Sequence, residues 1–215
     1  MTASVTPQEQ ATQKVILDNI SWETYQRLLD ERGQRSKPRY AYDRGRLEIM
    51  VSSFEHENLK HDIATLVEVI AEELELDLVS AASTTFDRED LAQGFEPDAC
   101  FYLKNAASVR GGKRIDVATD PPPDLVVEIN ITSPSLDKFP IFTGLGIAEV
   151  WRYHGHALTV FRLHGDAYQE RPASDVLRGV TATVLNQLIG DSQHMKWSEW
   201  LREVRESIRA LRQSR

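Results

Sequence analysis

One stretch limits what this chain can fold into: residues 125–131, LVVEINI, set between Pro121-Pro122-Pro123 and Ser133-Pro134. It is short, β-branched and almost wholly apolar, the pattern of a strand buried on both faces inside a sheet that helices cover. Such a strand implies an α/β architecture. Glu128 stands in the middle of it. An ionised carboxylate buried there is costly unless it is paired or binds a metal.

Helical and strand patterns flank the run on both sides. Ser21-Trp22-Glu23-Thr24 reads as a helix start, with Tyr25, Leu28 and Leu29 on one face and Gly33 at the end. Residues 39–43 and 46–51 predict a hairpin that turns at Arg44-Gly45. Ser52-Ser53-Phe54-Glu55 matches a capping box, serine as N-cap and glutamate reaching back three residues later. Leu59, Ile63, Leu66, Val67, Ile70 and Leu74 then recur at helical spacing, with Glu57, Lys60, Glu68 and Glu72 outside the stripe. Residues 76–80 and 83–86 predict short strands, 87–94 a polar turn region with a helical flavour, and 95–103 (FEPDACFYL) one strand with Pro97 near its entry. Beyond the central run, Ser133-Pro134 is expected to open a helix that Pro140 shortens or kinks. Residues 150–153 and 158–163 predict a strand pair around Gly155, and 198–212 a last helix with Trp200, Val204 and Ile208 on its apolar side.

At 215 residues the chain suits one domain, expected here as a polar N-terminal segment over 1–20, frayed over 1–14, an α/β domain over 21–190 and a C-terminal helix over 191–215. Hydrophobic residues at 41% and charged ones at 27% exclude wholesale disorder. Cys100 is the single cysteine, so no internal disulfide forms and a reducing, cytoplasmic setting is the simplest expectation. No leader and no membrane span is read in the sequence. The net charge of −8 argues against tight non-specific duplex binding, although a basic surface can be local. Five arginines face two glutamates over residues 201–215, a pattern read as a solvated helix face.

Asp98 falls on the strand expected for 95–103. Two carboxylates from adjacent strands can converge on one divalent cation, and hard oxygen donors suit Mg²⁺ or Mn²⁺. A metal held this way polarises a phosphoryl oxygen and generates hydroxide from bound water. Lys138, ten residues after Glu128, is placed to return to the strand's C-terminal end and stabilise negative charge. The competing reading is a paired core glutamate and a turn aspartate. Cys100 alternates with Asp98 and reads as a small core thiol, and His154, His156 and His164 show no ligand spacing. The segment from His56 to His61 (HENLKH) resembles a zinc-protease signature but is one residue too long. Histidines five apart on a helix are rotated by about 140° and cannot share an ion.

An ordered set of short motifs carries a family resemblance. It runs from residues 42–50 (YDRGRLEIM) through Glu55-His56-Glu57, Ser83-Thr84-Thr85, Glu96-Pro97-Asp98 and residues 124–129 (DLVVEI) to Leu136-Asp137-Lys138 and Glu149-Val150-Trp151. Over about 40–163 the sequence resembles the Uma2 family of the restriction-endonuclease-like PD-(D/E)xK superfamily. That resemblance implies a central mixed β-sheet flanked by helices, and a nuclease in which Asp98 and Glu128 are the acidic pair. The superfamily lysine should stand two residues after Glu128, where this chain has Asn130. The resemblance implies that Lys138, from the following helix, takes its place. Glu57, from the first core helix, is then a candidate further ligand. Glu48 is another, in competition with a cross-strand salt bridge beside Arg46. His56 assists the site or caps the helix, the cap being favoured.

The leading expectation is therefore a Mg²⁺- or Mn²⁺-dependent endonuclease acting on DNA. Asp98 and Glu128 bind metal with Glu57 or Glu48, Lys138 stabilises charge, and His56 and Asn130 assist. Its rival is a nuclease-fold module that binds or dimerises without cutting, and an enzyme on RNA or nucleotides is a third. A homodimer is expected by analogy with nucleases that cut two strands.

Overall fold

The computed structural model describes residues 11–33, 35–82, 84–117, 119–131 and 135–213. In chain order its elements begin with β1 (Gln13–Leu17), α1 (Trp22–Arg32), β2 (Arg39–Asp43), β3 (Arg46–Val51) and α2 (Phe54–Glu73). Then come β4 (Val79–Ser80), β5 (Phe86–Arg88), β6 (Gln93–Phe95), β7 (Ala99–Tyr102), α3 (Ala106–Val109) and β8 (Leu125–Asn130). The remainder holds α4 (Phe139–Gly144), β9 (Glu149–His154), β10 (Ala157–His164), β11 (Ala167–Arg171), α5 (Ala182–Ser192) and α6 (Trp197–Gln213).

The apolar run is β8, an inner strand of a six-stranded sheet ordered β11-β10-β9-β8-β7-β4. It pairs parallel with β9 and antiparallel with β7, so the sheet is mixed. Its alternate residues serve two cores. Leu125, Val127 and Ile129 join the stripe of α2 and Trp200, Val204 and Ile208 of α6. Val126 packs on the other face with Ile141 and Phe142 of α4, Val150 of β9, and Phe86 and Phe95 of a second sheet. That second sheet, β1-β3-β2-β6-β5, is antiparallel throughout. Each large apolar side chain fully buried in these layers contributes roughly 1.5–3 kcal/mol. The two cores hold β8 from both faces, which fixes where Glu128 must point.

Several expectations shift. Residues 95–103 are not one strand. β6 ends at Phe95 in the antiparallel sheet, Glu96-Pro97-Asp98 crosses over, and β7 begins at Ala99 in the mixed sheet. Pro97 has no N–H to give a ladder, so the break falls at this point. The N-cap of α2 is Ser53, which accepts the His56 N–H, one residue later than the capping box implied; Ser52 bonds Glu57 instead. α4 begins at Phe139, so Pro140 lies in its first turn, where no N–H is needed, and does not kink it. The expected start at Ser133-Pro134 lies outside the described residues, as does Ser83. Residues 13–17 form the edge strand β1, so the frayed reading of 1–14 fails at residues 13 and 14. The turn region read over 87–94 gives its two ends to β5 and β6, while a 3-10 helix over Glu89–Leu91 between them bears out its helical flavour.

The Arg44-Gly45 hairpin stands, with φ of +45° and +95° as a type I′ turn requires. Three arginines of α6 pair with the acidic end of α2: Arg205 with Glu72, Arg209 with Glu73 and Arg212 with Glu75. No described helix is long and apolar enough to cross a membrane.

Candidate functional site

The crossover between the two sheets sets the acidic centre. Glu96 and Asp98 flank Pro97 and go to different partners. Glu96 takes Arg32 in a two-pronged ion pair, 2.6 Å to each oxygen, plus the Tyr40 N–H and the Thr85 hydroxyl. It is saturated. Asp98 turns to β8 and α2. Its Oδ2 accepts the Ile129 N–H at 2.7 Å, and its Oδ1 accepts from Arg39 at 2.5 Å. The His56 ring places Nε2 3.4 Å from Oδ1 and 3.3 Å from the Ile129 carbonyl. Burial alone would raise the Asp98 carboxyl, but Arg39 and His56 outweigh it and hold the group well below its ordinary range.

Glu128 precedes Ile129 on β8 and is buried. Lys138, at the N-cap of α4, donates to its Oε2 at 2.7 Å and lies 3.3 Å from Oε1 of Glu48. Glu48 arrives from β3 of the other sheet, and its Oε2 accepts the Leu136 N–H at 2.7 Å. Glu48 thereby anchors the segment that delivers Lys138. Burial works against the Lys138 charge, yet Glu128, Glu48 and Asp98 overcome it and keep the ammonium protonated. Burial also pushes the Glu128 carboxyl up, Lys138 opposing and Asp98 and Glu48 reinforcing. The second oxygen of Glu128, Oε1, is buried without a hydrogen-bond partner among the described residues. Lys14, from β1, donates to Oδ1 of Asn130 at 2.8 Å, and burial lowers its pKa against the pull of Glu48.

This donor set fits a hard divalent cation. Mg²⁺ is commonly held by one or two carboxylates, with water and phosphate completing its shell. A buried acceptor left idle costs about 1–3 kcal/mol, and a cation at Oε1 of Glu128 would relieve that cost. Among the described residues no three His, Cys, Asp or Glu side chains stand together as a metal-holding group. Asp98 and Glu128 are the carboxylates that could hold such an ion here. A cavity of about 470 Å³ opens beside Glu128, Asn130 and Lys138, walled by Arg152, His154 and Thr159.

The sequence profile of the Uma2 family, described as "putative restriction endonuclease", matches residues 22–189. The chain belongs to the Uma2 family. Its fold is also that of a solved protein titled "putative nuclease belonging to DUF820" from Anabaena variabilis ATCC 29413. The two are 12% identical, the match spans 79% of this chain and 99% of the other, and the TM-score is 0.55. At that identity the likeness is one of fold. No curated protein matches the chain.

In this Uma2 member Asp98, Glu128, Lys138 and Glu48 meet around one buried centre. Glu48 joins Lys138 rather than a cross-strand partner, while Arg46 goes to Asp18. The His56 ring points inward to Asp98; the cap of α2 uses only its backbone N–H. Glu57 stays nearer the rim, held by Ser52, by Lys37 and by Arg39 at 3.4 Å each for the two cations, and it meets Asp98 through Arg39. His61 stacks on Trp197, well away from the His56 side of α2, as the 140° rotation of their spacing requires. Cys100 is a core thiol beside Val126 that donates to the Ala82 carbonyl. Thr85 bonds Glu96, and with Thr84 it lines a separate cavity of about 880 Å³.

Arg39, Lys14, Arg152, His154 and Thr159 escape a reading by motif. Lys14 leaves a faint trace, since it alternates with Ile16 on a β-branched stretch (QKVIL). Arg152 and Thr159 leave none, because their approach to Glu128 depends on strand pairing.

Proposed function

We propose that the Asp98–Glu128 centre is a metal-dependent endonuclease site that hydrolyses phosphodiester bonds in DNA. The observation that carries the reading is the idle, buried Oε1 of Glu128, next to an ionised Asp98 in a chain of the Uma2 family. Asp98 and Glu128 would hold Mg²⁺ or Mn²⁺, which when bound supplies Lewis-acid polarisation and an acidified water.

The chain's own groups prepare the centre. Arg39 and the Ile129 N–H fix the two oxygens of Asp98, so its rotamer is set before substrate arrives. His56 braces the same carboxylate from α2. Lys138 holds Glu128 and Glu48 with its charge intact, and that charge faces the cavity wall where negative charge develops on a phosphate. Asn130 stands where the superfamily lysine is expected, and Lys14 on its amide adds a second positive charge. Glu57 serves here as the outer anchor of Arg39. A homodimer that brings two such centres to opposite strands belongs to the same reading.

The test is plasmid cleavage in Mg²⁺ or Mn²⁺ by the wild type, Asp98→Asn and Glu128→Gln. Both variants should lose about 10²–10³ in rate, the scale of removing one preorganised charge-stabilising group. Equal rates in all three proteins would sink the proposal.

A second reading has its own observation. Arg39 and Lys138 already neutralise the two carboxylates, so the fold can stand without metal as a binding or dimerisation module. Calorimetry separates the two: Mn²⁺ binding abolished by Glu128→Gln supports the nuclease, and no binding to wild type supports the module.

A further inference from the structure

We infer that the cavity beside Glu128 is a subsite for the backbone phosphate next to the one being cleaved, with the Arg152 guanidinium as its main ligand. The inference rests on the phosphodiesterase reading above and adds to it a site for the neighbouring nucleotide.

Strand register carries the first part of the case. On the parallel pair β8–β9 Glu128 stands opposite Arg152, and on the antiparallel pair β9–β10 Arg152 stands opposite Thr159. Side chains of directly paired residues project from the same face of a sheet. Glu128, Arg152 and Thr159 therefore form one cross-strand row, each step about 4.8 Å. Asn130 and His154 form the next row along the same strands. All five line the single cavity that starts at the acidic centre. A strand of nucleic acid whose scissile phosphate lies at Glu128 has its next phosphate within reach of that row.

The state of Arg152 carries the second part. Its guanidinium carbon lies 3.8 Å from the Phe139 ring centroid and 5.7 Å from that of Phe161, so two aromatic faces hold the plane in place. The only charged group paired with it among the described residues is Asp137, at 3.6 Å and largely exposed. No hydrogen bond from the guanidinium is formed among the described residues. A planar fork with unspent N–H donors, stacked and preorganised, is the geometry that takes a phosphate on two prongs. Thr159 offers a hydroxyl in the same row. The acidic chain as a whole repels nucleic acid, so a local cation at this point would be needed to seat the strand.

The experiment measures binding of a short fluorescein-labelled DNA duplex by anisotropy in Ca²⁺ across a salt series, with cleavage kinetics in Mn²⁺ alongside. R152M should weaken binding about tenfold. It should also flatten the slope of log affinity against log salt by about 0.9, one phosphate's share. In cleavage its loss should fall mainly on KM. R152K keeps a charge and should retain the salt slope while binding more weakly than wild type, for want of the fork. A wild-type slope in R152M, with only a lower Tm, would mark Arg152 as packing and overturn the subsite alone. If R152M does not fold, R152K decides: affinity equal to wild type overturns the forked contact. Wild type that neither binds nor cuts DNA overturns the nuclease reading and the subsite with it.

Discussion

Two buried glutamates sit on neighbouring parallel strands and could hardly be treated more differently. Glu149, at the start of β9, accepts from the Trp151 indole at 2.8 Å, the Ser174 hydroxyl at 2.5 Å, and the backbone N–H groups of Asp175 and Val176. Glu128, on β8, has one cation on one oxygen and, among the described residues, no hydrogen-bond partner on the other. Burial pushes both carboxyls up, but in Glu149 four neutral donors counter it, and they tie the loop after β11 to the sheet. A carboxylate whose lone pairs are saturated with fixed donors is a structural joint. One with a lysine, two acidic neighbours and an idle oxygen is open to a further partner. Glu96, held by Arg32, the Tyr40 N–H and the Thr85 hydroxyl, is a joint of the same kind as Glu149.

The comparison can be broken or sharpened by mutation. The largest effect is expected for Glu149→Ala, which strands four buried donors and should cost about 3–5 kcal/mol in urea unfolding. A loss under about 1 kcal/mol would erase the distinction. Lys138→Met should follow at about 3 kcal/mol, because it leaves Glu48 and Glu128 buried together without their cation. Adding Glu128→Gln to that variant should recover about 1 kcal/mol, read as a double-mutant cycle.

Acid sensitivity comes next. The Asp98 carboxyl titrates below its ordinary value of 3.8 when folded, since Arg39 and His56 outweigh burial. Its stabilisation is therefore complete above that value and is lost as pH falls beneath it through the folded pKa. Wild type should shed about 2 kcal/mol more than Asp98→Asn over that acid limb, measured as urea midpoints against pH. The smallest effect belongs to Glu128→Gln alone, about 1 kcal/mol or less, because Glu48 still holds Lys138. A cost matching that of Glu149→Ala would make Glu128 a structural joint as well.

Much of the fold was legible because it follows local periodicity. The hairpin at Arg44-Gly45, the stripe of α2 and the apolar run of β8 each obey a repeat that a single segment carries. The acidic pair was legible for a related reason: a charge amid LVVEINI contradicts its surroundings. The split at Pro97 was not, since β6 and β7 read as one apolar stretch until each finds a different sheet. β1 was missed because an edge strand needs only one partner and leaves a weak pattern. Arg39 and Arg152 were missed because nothing in their own segments marks them, and Lys14 because its short alternation with Ile16 is too faint to single it out.

LVVEINI by itself determined that this chain has a buried sheet strand with a carboxylate at its middle, because burial and charge are properties of residues. What surrounds that carboxylate was decided only in three dimensions. Glu48 comes from the other sheet, Lys138 from the turn into α4, Asp98 from the crossover and Arg152 from the register of β9. Lys138 lies only ten residues on, but Glu48, Asp98 and Arg152 arrive through long-range pairing, whose partners are set by how the two sheets pack and not by any neighbour in sequence.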